Sequence, residues 1–380
     1  MTNNAGTARS LTIMQVLPAL EGGGVERGTL EVAHELVKRG HRSIVISAGG
    51  RLVDELLKGG SEHIHLGVGR KSLRTLAVIP RFRALVRDIK PNVLHLRSRL
   101  PAWVARFAIG RLSTRPAIVT TVHGLYSVSR YSAIMTRADA VIAVSDTVKR
   151  YLVENYPAMD HSIVKTIYRG VDPHEFPYGH RPTDGWFRKW YNDYPMLKAA
   201  QDEGGGVLTL AGRISRGKGH LDFIELMSRL KQTTPNAWGL IVGNEDPKHG
   251  NYANELRSLI QQRGANVLMI GHRSDIQDVY AASRIVLSLS SKPESFGRTV
   301  LEALSLGVPV VGYDHGGVGE VLRTILPQGL VPRGKPGTMD RLVSLVQQWL
   351  ESPPAVPQQT QYLKSHMLDA TIRLYDTLAW

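Results

Sequence analysis

A chain of 380 residues with no cysteine excludes a disulfide framework and any thiolate metal site. Its 42% hydrophobic and 21% charged residues are globular values, and at roughly 150 residues per domain the length predicts two domains. The net charge of +14 is unevenly placed: residues 1–175 hold 25 Lys+Arg and 14 Asp+Glu, a balance of +11, and residues 176–380 hold 22 and 19, a balance of +3.

The absence of cysteine fits a reducing compartment. The apolar runs, about ten residues at most, are far shorter than the ~20 needed to span a bilayer. The run LTIMQVLPAL after Arg9 is too short for a signal peptide, contains Pro18 and lacks a small-residue cleavage site. It reads as a first buried strand. Between residues 70 and 115 twelve basic residues face one acid, Asp88. Such a field attracts an anionic partner: a membrane surface, a lipid phosphate or a nucleic acid.

In chain order, LTIMQVL (11–17) is a strand, PALEGGG a loop, and VERGTLEVAHELVKRG a helix stopped by Gly40. HRSIVISAGG is a strand, RLVDELLKGG a helix and HIHL a short strand with one face in and one out. Residues 72–89, SLRTLAVIPRFRALVRDI, predict a basic amphipathic helix broken or kinked at Pro80. NVLHL, PAIVTTVHG, ADAVIAVS and SIVKTIYRG supply further strands, with a helix at PAWVARFAIGRL. The segment HEFPYGHRPTDGWFRKWYNDYPMLKAAQDEGGG interrupts this rhythm and reads as a linker, with a short helix around Trp186–Tyr191. From Val207 the alternation resumes: VLTLAGRIS, a helix from Lys218, WGLIVGN, a helix around 252–262, NVLMIGH, a helix at 275–281, and RIVLSLS. Then come a loop, helix, buried strand and glycine-rich turn in KPESFGRTVLEALSLGVPVVGYDHGGVGEVL. A helix after Pro336, a proline-rich stretch and a last helix ending at Trp380 complete the chain.

Apolar strands alternating with helices mean doubly wound parallel sheets. The expected division is an N-terminal domain at 1–175, a linker at 176–206, a second domain at 207–355, and a C-terminal helix at 356–380 crossing back to the first. Two such sheets place a ligand site at the carboxyl ends of their strands, in a cleft between the domains.

Four stretches could carry chemistry. Gly22-Gly23-Gly24 lies between a strand and a helix, where glycine lets a ligand approach the backbone; a plain tight turn explains it equally well. Glu26 and Arg27 follow, facing a ligand or solvent. His123, in TVHG, lies just past an apolar strand and could meet a sugar hydroxyl, against the alternative of a surface histidine. In AGRISRGKGH, Arg213 and Lys218 follow a strand ending at Gly212; a planar fork and a mobile point charge suit a pyrophosphate. In the stretch from Lys292 to Leu322, Glu294 sits in a loop and Glu302 within a helix opened by Gly297, with Arg298 and Thr299 in its first turn. The free amides and positive dipole end there suit a phosphate, and a carboxylate two turns on suits a sugar hydroxyl. Glu320 lies beside the next turn. GHRSD, Gly271 to Asp275 with His272 and Arg273, is a strand exit whose backbone could meet a nucleobase, or an ordinary loop. The sequence has no H-E-x-x-H and no G-x-S-x-G, and its histidines are scattered.

The block ESFGRTVLEALSLGVPVV resembles the E-x(7)-E signature of retaining glycosyltransferases of family 4, which have the GT-B fold. GGGVERG, TVHG and GRISRGKG match that family's other landmarks in the same order, so the resemblance covers nearly the whole chain. It implies that Arg213 and Lys218 hold the donor diphosphate, that Glu302 binds the ribose hydroxyls, and that Glu294 lies near the donor sugar with the Phe296 and Gly297 amides. It also implies that His123 faces that sugar and that Gly23 and Gly24 lie beside the diphosphate and acceptor. Such enzymes need no metal or cofactor beyond the nucleoside diphosphate sugar itself, with UDP favoured and GDP or ADP as alternatives. The form GGVERGTLE with a basic first domain is most similar to bacterial lipopolysaccharide-core transferases. Their acceptors are phosphorylated, lipid-linked glycans at the inner leaflet, which implies a cytoplasmic protein peripherally bound to the membrane.

Three rivals stay open at the level of sequence. One is a nucleotide-sugar epimerase on the same scaffold. Another is a nucleic-acid-binding protein, disfavoured because the basic block lacks interleaved aromatic platforms. The third is a protein whose main role is binding an anionic surface, with the helix at 72–89 lying in the headgroups.

Overall fold

The computed structural model describes residues 10–69, 75, 77–110, 112–245 and 250–379. Arg70, Lys71, Arg74 and Arg111 of the basic segment, and Trp380, lie outside them. The chain divides into two compact units, one of residues 1–168 with 365–380 and one of residues 169–364.

The first unit is a parallel sheet in the order β3-β2-β1-β4-β5-β6-β7. Its strands are β1 (Thr12–Val16), β2 (Arg42–Ser47), β3 (Glu62–His65), β4 (Val93–Leu96), β5 (Ala117–Val122), β6 (Ala140–Ala143) and β7 (Val164–Thr166). Its helices are α1 (Gly24–Lys38), α2 (Val53–Lys58), α3 (Val78–Ile89), α4 (Arg99–Ile109) and α5 (Asp146–Asn155). The central strands are buried on both faces, which is why they read as unbroken apolar runs. One face, with Met14, Ile44, Leu94 and Val141, packs on Phe82 and Val86 of α3 and on Ala105 and Ala108 of α4. The other, with Ile13, Val93, Val119 and Ile142, packs on Val32 and Leu36 of α1 and on Ile372 and Tyr375 near the C-terminus.

The helix expected over 72–89 begins at Val78, and the part at 72–74 and 76 lies outside the described residues. Pro80 falls in its first turn, where no intrahelical partner for its missing N–H is required, so it starts the helix and does not break it.

The second unit carries helices α6 (Asp184–Asp193) and α7 (Pro195–Asp202), then a parallel sheet in the order β10-β9-β8-β11-β12-β13. Its strands are β8 (Val207–Ala211), β9 (Trp238–Val242), β10 (Val267–Gly271), β11 (Ile285–Ser288), β12 (Val310–Tyr313) and β13 (Leu330–Val331). They alternate with α8 (His220–Thr233), α9 (Gly250–Arg263), α10 (Ile276–Ala281), α11 (Arg298–Ser305), α12 (Gly316–Ile325) and α13 (Thr338–Glu351). The last helix, α14 (Lys364–Leu378), groups with the first unit from Ser365 onward.

Residues 176–206, expected as a linker, are integral to the second unit. Trp190 of α6 and Leu197 of α7 are buried against Val207, Leu240, Val242 and Val279. Trp186 stacks on Trp190 at 4.8 Å and donates from Nε1 to Asp275 at 2.7 Å. The segment's prolines and glycines mark the ends of its helices, and its aromatic residues are core. DHGGVGE, read as a turn, is in fact the start of α12.

Candidate active site

In an open parallel sheet the ligand crevice forms where the strand order reverses. In the second unit that point lies between β8 and β11. The loop after β8 runs from Gly212 to Gly219 and the loop after β11 runs from Leu289 to Gly297. The chain there is drawn together by contacts that only glycine allows. Gly219 has φ +80°, and a Cβ on it would lie 1.9 Å from the Leu289 carbonyl oxygen. The Ser291 amide donates to the Gly217 carbonyl at 2.9 Å.

This brings two residues 76 positions apart together: Lys218 Nζ donates to Glu294 Oε1 at 2.8 Å. Ser290 Oγ donates to the same carboxylate oxygen. The pair is partly open, with side chains 34% and 22% exposed, so it stabilises the fold by about 1 kcal/mol or less. Two charges held at a switch point for so little stability are better explained by what they present to a ligand.

The same loop lies between two helix starts. Gly297, φ +87°, caps α11, and His315 caps α12; neither end has a side-chain cap. The Gly317 amide donates to the Glu294 carbonyl at 2.7 Å, and a Cβ on Gly317 would lie 2.3 Å from Phe296 Cα. Lys218 is thus fixed near two positive helix ends, a set suited to a diphosphate. Phe296 is buried edge-on to Tyr362 at 5.8 Å, so its contribution to a ligand is its backbone. Thr299 is half-buried in the first turn of α11. Arg213 is exposed on the loop that carries Lys218.

Glu302 is 9% exposed on α11. Arg298, one turn earlier, donates from Nε to Glu302 Oε1 at 2.8 Å. Burial chiefly, and then that carboxylate, push the Tyr280 hydroxyl pKa far up.

His272 is exposed, but the Arg273 guanidinium is turned onto Asp275, at 2.8 and 2.6 Å, and lies 5.3 Å over the Trp190 ring. Its side chain is engaged with Trp190 of α6 and with Asp275. Sequence reasoning missed the contact of Trp186 with Asp275.

In the first unit the reversal lies between β1 and β4. Gly23 and Gly24 are exposed there at the start of α1, with Gly23 as its cap. Half-buried His123 follows β5, and its amide donates to the Tyr126 hydroxyl at 3.4 Å. The Tyr126 ring carries the Arg99 guanidinium at 4.5 Å. Among the described residues no group of three or more His, Asp or Glu could hold a metal ion, and no helix is long and apolar enough to cross a membrane.

Two family models tile the chain: Glycosyltransferase Family 4 over residues 22–175 and Glycosyl transferases group 1 over residues 197–366. The chain is 28% identical to a glycosyltransferase from Rickettsia africae ESF-5, whose crystal structure superposes with a TM-score of 0.82 over 97% of this chain and 98% of that one. It is 25% identical to the putative glycosyltransferase YtcC of Bacillus subtilis, over 80% of this chain and 74% of that one. The Anabaena protein Alr3699/HepE, solved in complex with UDP and glucose, shares the fold with a TM-score of 0.75 at 20% identity, covering 97% of each chain. This chain belongs to the glycosyltransferases of family 4, with the GT-B fold.

Proposed function

We propose that this glycosyltransferase moves a hexose-type sugar from a nucleoside diphosphate sugar to an acceptor hydroxyl with retention of anomeric configuration. The observation that carries this reading is the convergence of Lys218, Glu294 and two helix starts without side-chain caps at the switch point of the second sheet. The barrier to such a transfer is charge separation between an oxocarbenium-like sugar and a departing diphosphate. Lys218 and Arg213, with the helix amides, meet the developing negative charge in place before the reaction. Glu294 faces the sugar, Glu302 the ribose, and the leaving phosphate oxygen itself takes the acceptor proton on the same face. Gly23, Gly24 and His123 serve the acceptor and sugar side. No metal or further cofactor is assigned to these steps. The UDP complex of the Anabaena protein favours UDP as the base-bearing half, with GDP and ADP as alternatives.

The acceptor is a phosphorylated or lipid-linked glycan of the lipopolysaccharide-core type, reached at the inner face of the membrane. The positive balance of residues 1–175 supports it, because such an acceptor and its leaflet are anionic. The epimerase alternative has no observation in its favour. The test is incubation with UDP-, GDP- and ADP-hexoses, with and without a phosphorylated glycolipid acceptor, and NMR of the product. Acceptor-dependent transfer with retained configuration is expected. An inverted product, or sugar turnover that ignores the acceptor, would refute the proposal.

A further inference from the structure

The backbone of the Glu294 loop is held at two points by the start of α12. His315 Nε2 donates to the Ser290 carbonyl at 2.8 Å, and the Gly317 amide donates to the Glu294 carbonyl at 2.7 Å. On the other side, the Ser291 amide donates to the Gly217 carbonyl at 2.9 Å. Residues 290 and 294 therefore keep a fixed separation, and what can still turn is the Glu294 side chain. Its two donors, Lys218 Nζ and Ser290 Oγ, both reach Oε1. Among the described residues nothing donates to Oε2.

The two donors differ in mobility. Lys218 is one-third exposed on a flexible stem, and its charge is drawn to any phosphate that enters. Ser290 is 4% exposed on a short side chain, so its hydroxyl has no solvent to turn to. A diphosphate repels a neighbouring carboxylate at the moment it takes the lysine away. Without a second donor, Glu294 would swing out of place as the donor substrate binds.

We propose that Ser290 is a positioning residue for the transfer, holding Glu294 Oε1 so that Oε2 stays presented to the donor sugar while Lys218 engages the diphosphate. This rests on the assignment of Glu294 to the sugar made above. Ser290 touches no substrate atom; it acts through Glu294.

The test is calorimetric binding of UDP, GDP and ADP, and of their glucose, galactose and mannose conjugates, to the wild type, Ser290→Ala and Glu294→Ala. It is read on the nucleotide and the conjugate bound most tightly. Ser290→Ala should weaken the conjugate about tenfold, the loss expected for one hydrogen bond to a charged group, and leave the free nucleotide unchanged. Equal losses for both ligands would make Ser290 a loop-packing residue and overturn the inference. So would unchanged affinities in Ser290→Ala while Glu294→Ala has lost the conjugate alone. A Glu294→Ala protein with wild-type affinity for the conjugate would instead overturn the sugar assignment, and the inference with it. If Ser290→Ala does not fold, Ser290→Cys puts the same question, since a thiol fills nearly the same space and is a weak donor. A loss confined to the conjugate is then expected, and wild-type affinity for it would sink the inference.

Discussion

His220 makes the fold sensitive to acid next to the loop that carries Lys218. It opens α8 directly after Lys218 and Gly219, is 0% exposed, and meets Tyr252 edge-on at 5.9 Å. Burial lowers its pKa from 6.5 to about 4, and the nearby Lys218 charge adds to the shift. In the unfolded chain the ring titrates near its ordinary value. Between about pH 6.5 and pH 4 the unfolded state therefore binds more protons, and stability falls as the pH falls. The contribution is complete above the upper value and lost below the lower one, amounting to about 3 kcal/mol. Burial lowers the pKa values of His63 and His315 in the same direction, so the wild type alone does not isolate the effect. The comparison with His220→Phe, which keeps an aromatic ring and cannot titrate, does. Urea unfolding at pH 7.5 and 4.5 should show the wild type losing about 2–3 kcal/mol more than the variant. Parallel losses in the two proteins would refute the reasoning.

Gly317→Ala places a Cβ 2.3 Å from Phe296 Cα, backbone against neighbouring core, so α12 must shift away from the Glu294 loop. Overpacking of this kind costs about 1–3 kcal/mol, and nucleotide affinity should fall with it; a variant with wild-type melting and affinity would contradict the close packing. In the first unit, buried Tyr375 is bound to His95 Nδ1 at 2.5 Å, and His95 Nε2 to Thr121 at 2.6 Å. Tyr375→Phe leaves His95 short of a partner and should destabilise by about 1–3 kcal/mol in denaturant unfolding. Trp190→Ala should cost about 3–5 kcal/mol, which a linker residue would not, and the same unfolding experiment decides between the two.

Much of the architecture was legible because parallel strands buried on both faces are unbroken apolar runs, as in VLTLA and IVLS. The glycines and cations at the strand exits were legible as candidate site residues too, because they interrupt apolar strands at the positions where such sheets bind ligands. What the sequence does not carry is distance. That Lys218 meets Glu294, 76 residues on, follows from β8 and β11 being neighbours, a fact of strand order and not of local pattern. The same limit hides the partners of the Arg273 side chain, Asp275 and the Trp190 ring, one of them 83 residues away in the chain. Residues 176–206 were misjudged for another reason: proline and glycine content suggested a linker, while the four-residue spacing of Trp186 and Trp190 already gave the packing face of a helix.

The central claim is that Lys218, at the switch point of the second sheet, meets the charge that develops on the departing diphosphate. Turnover of Lys218→Ala at saturating donor and acceptor tests it most directly. Because its ion pair with Glu294 contributes about 1 kcal/mol or less to stability, the variant should fold and melt nearly as the wild type does. Its kcat should nonetheless fall on the order of 10²–10³-fold. A folded Lys218→Ala enzyme turning over within a few-fold of the wild type would contradict the account.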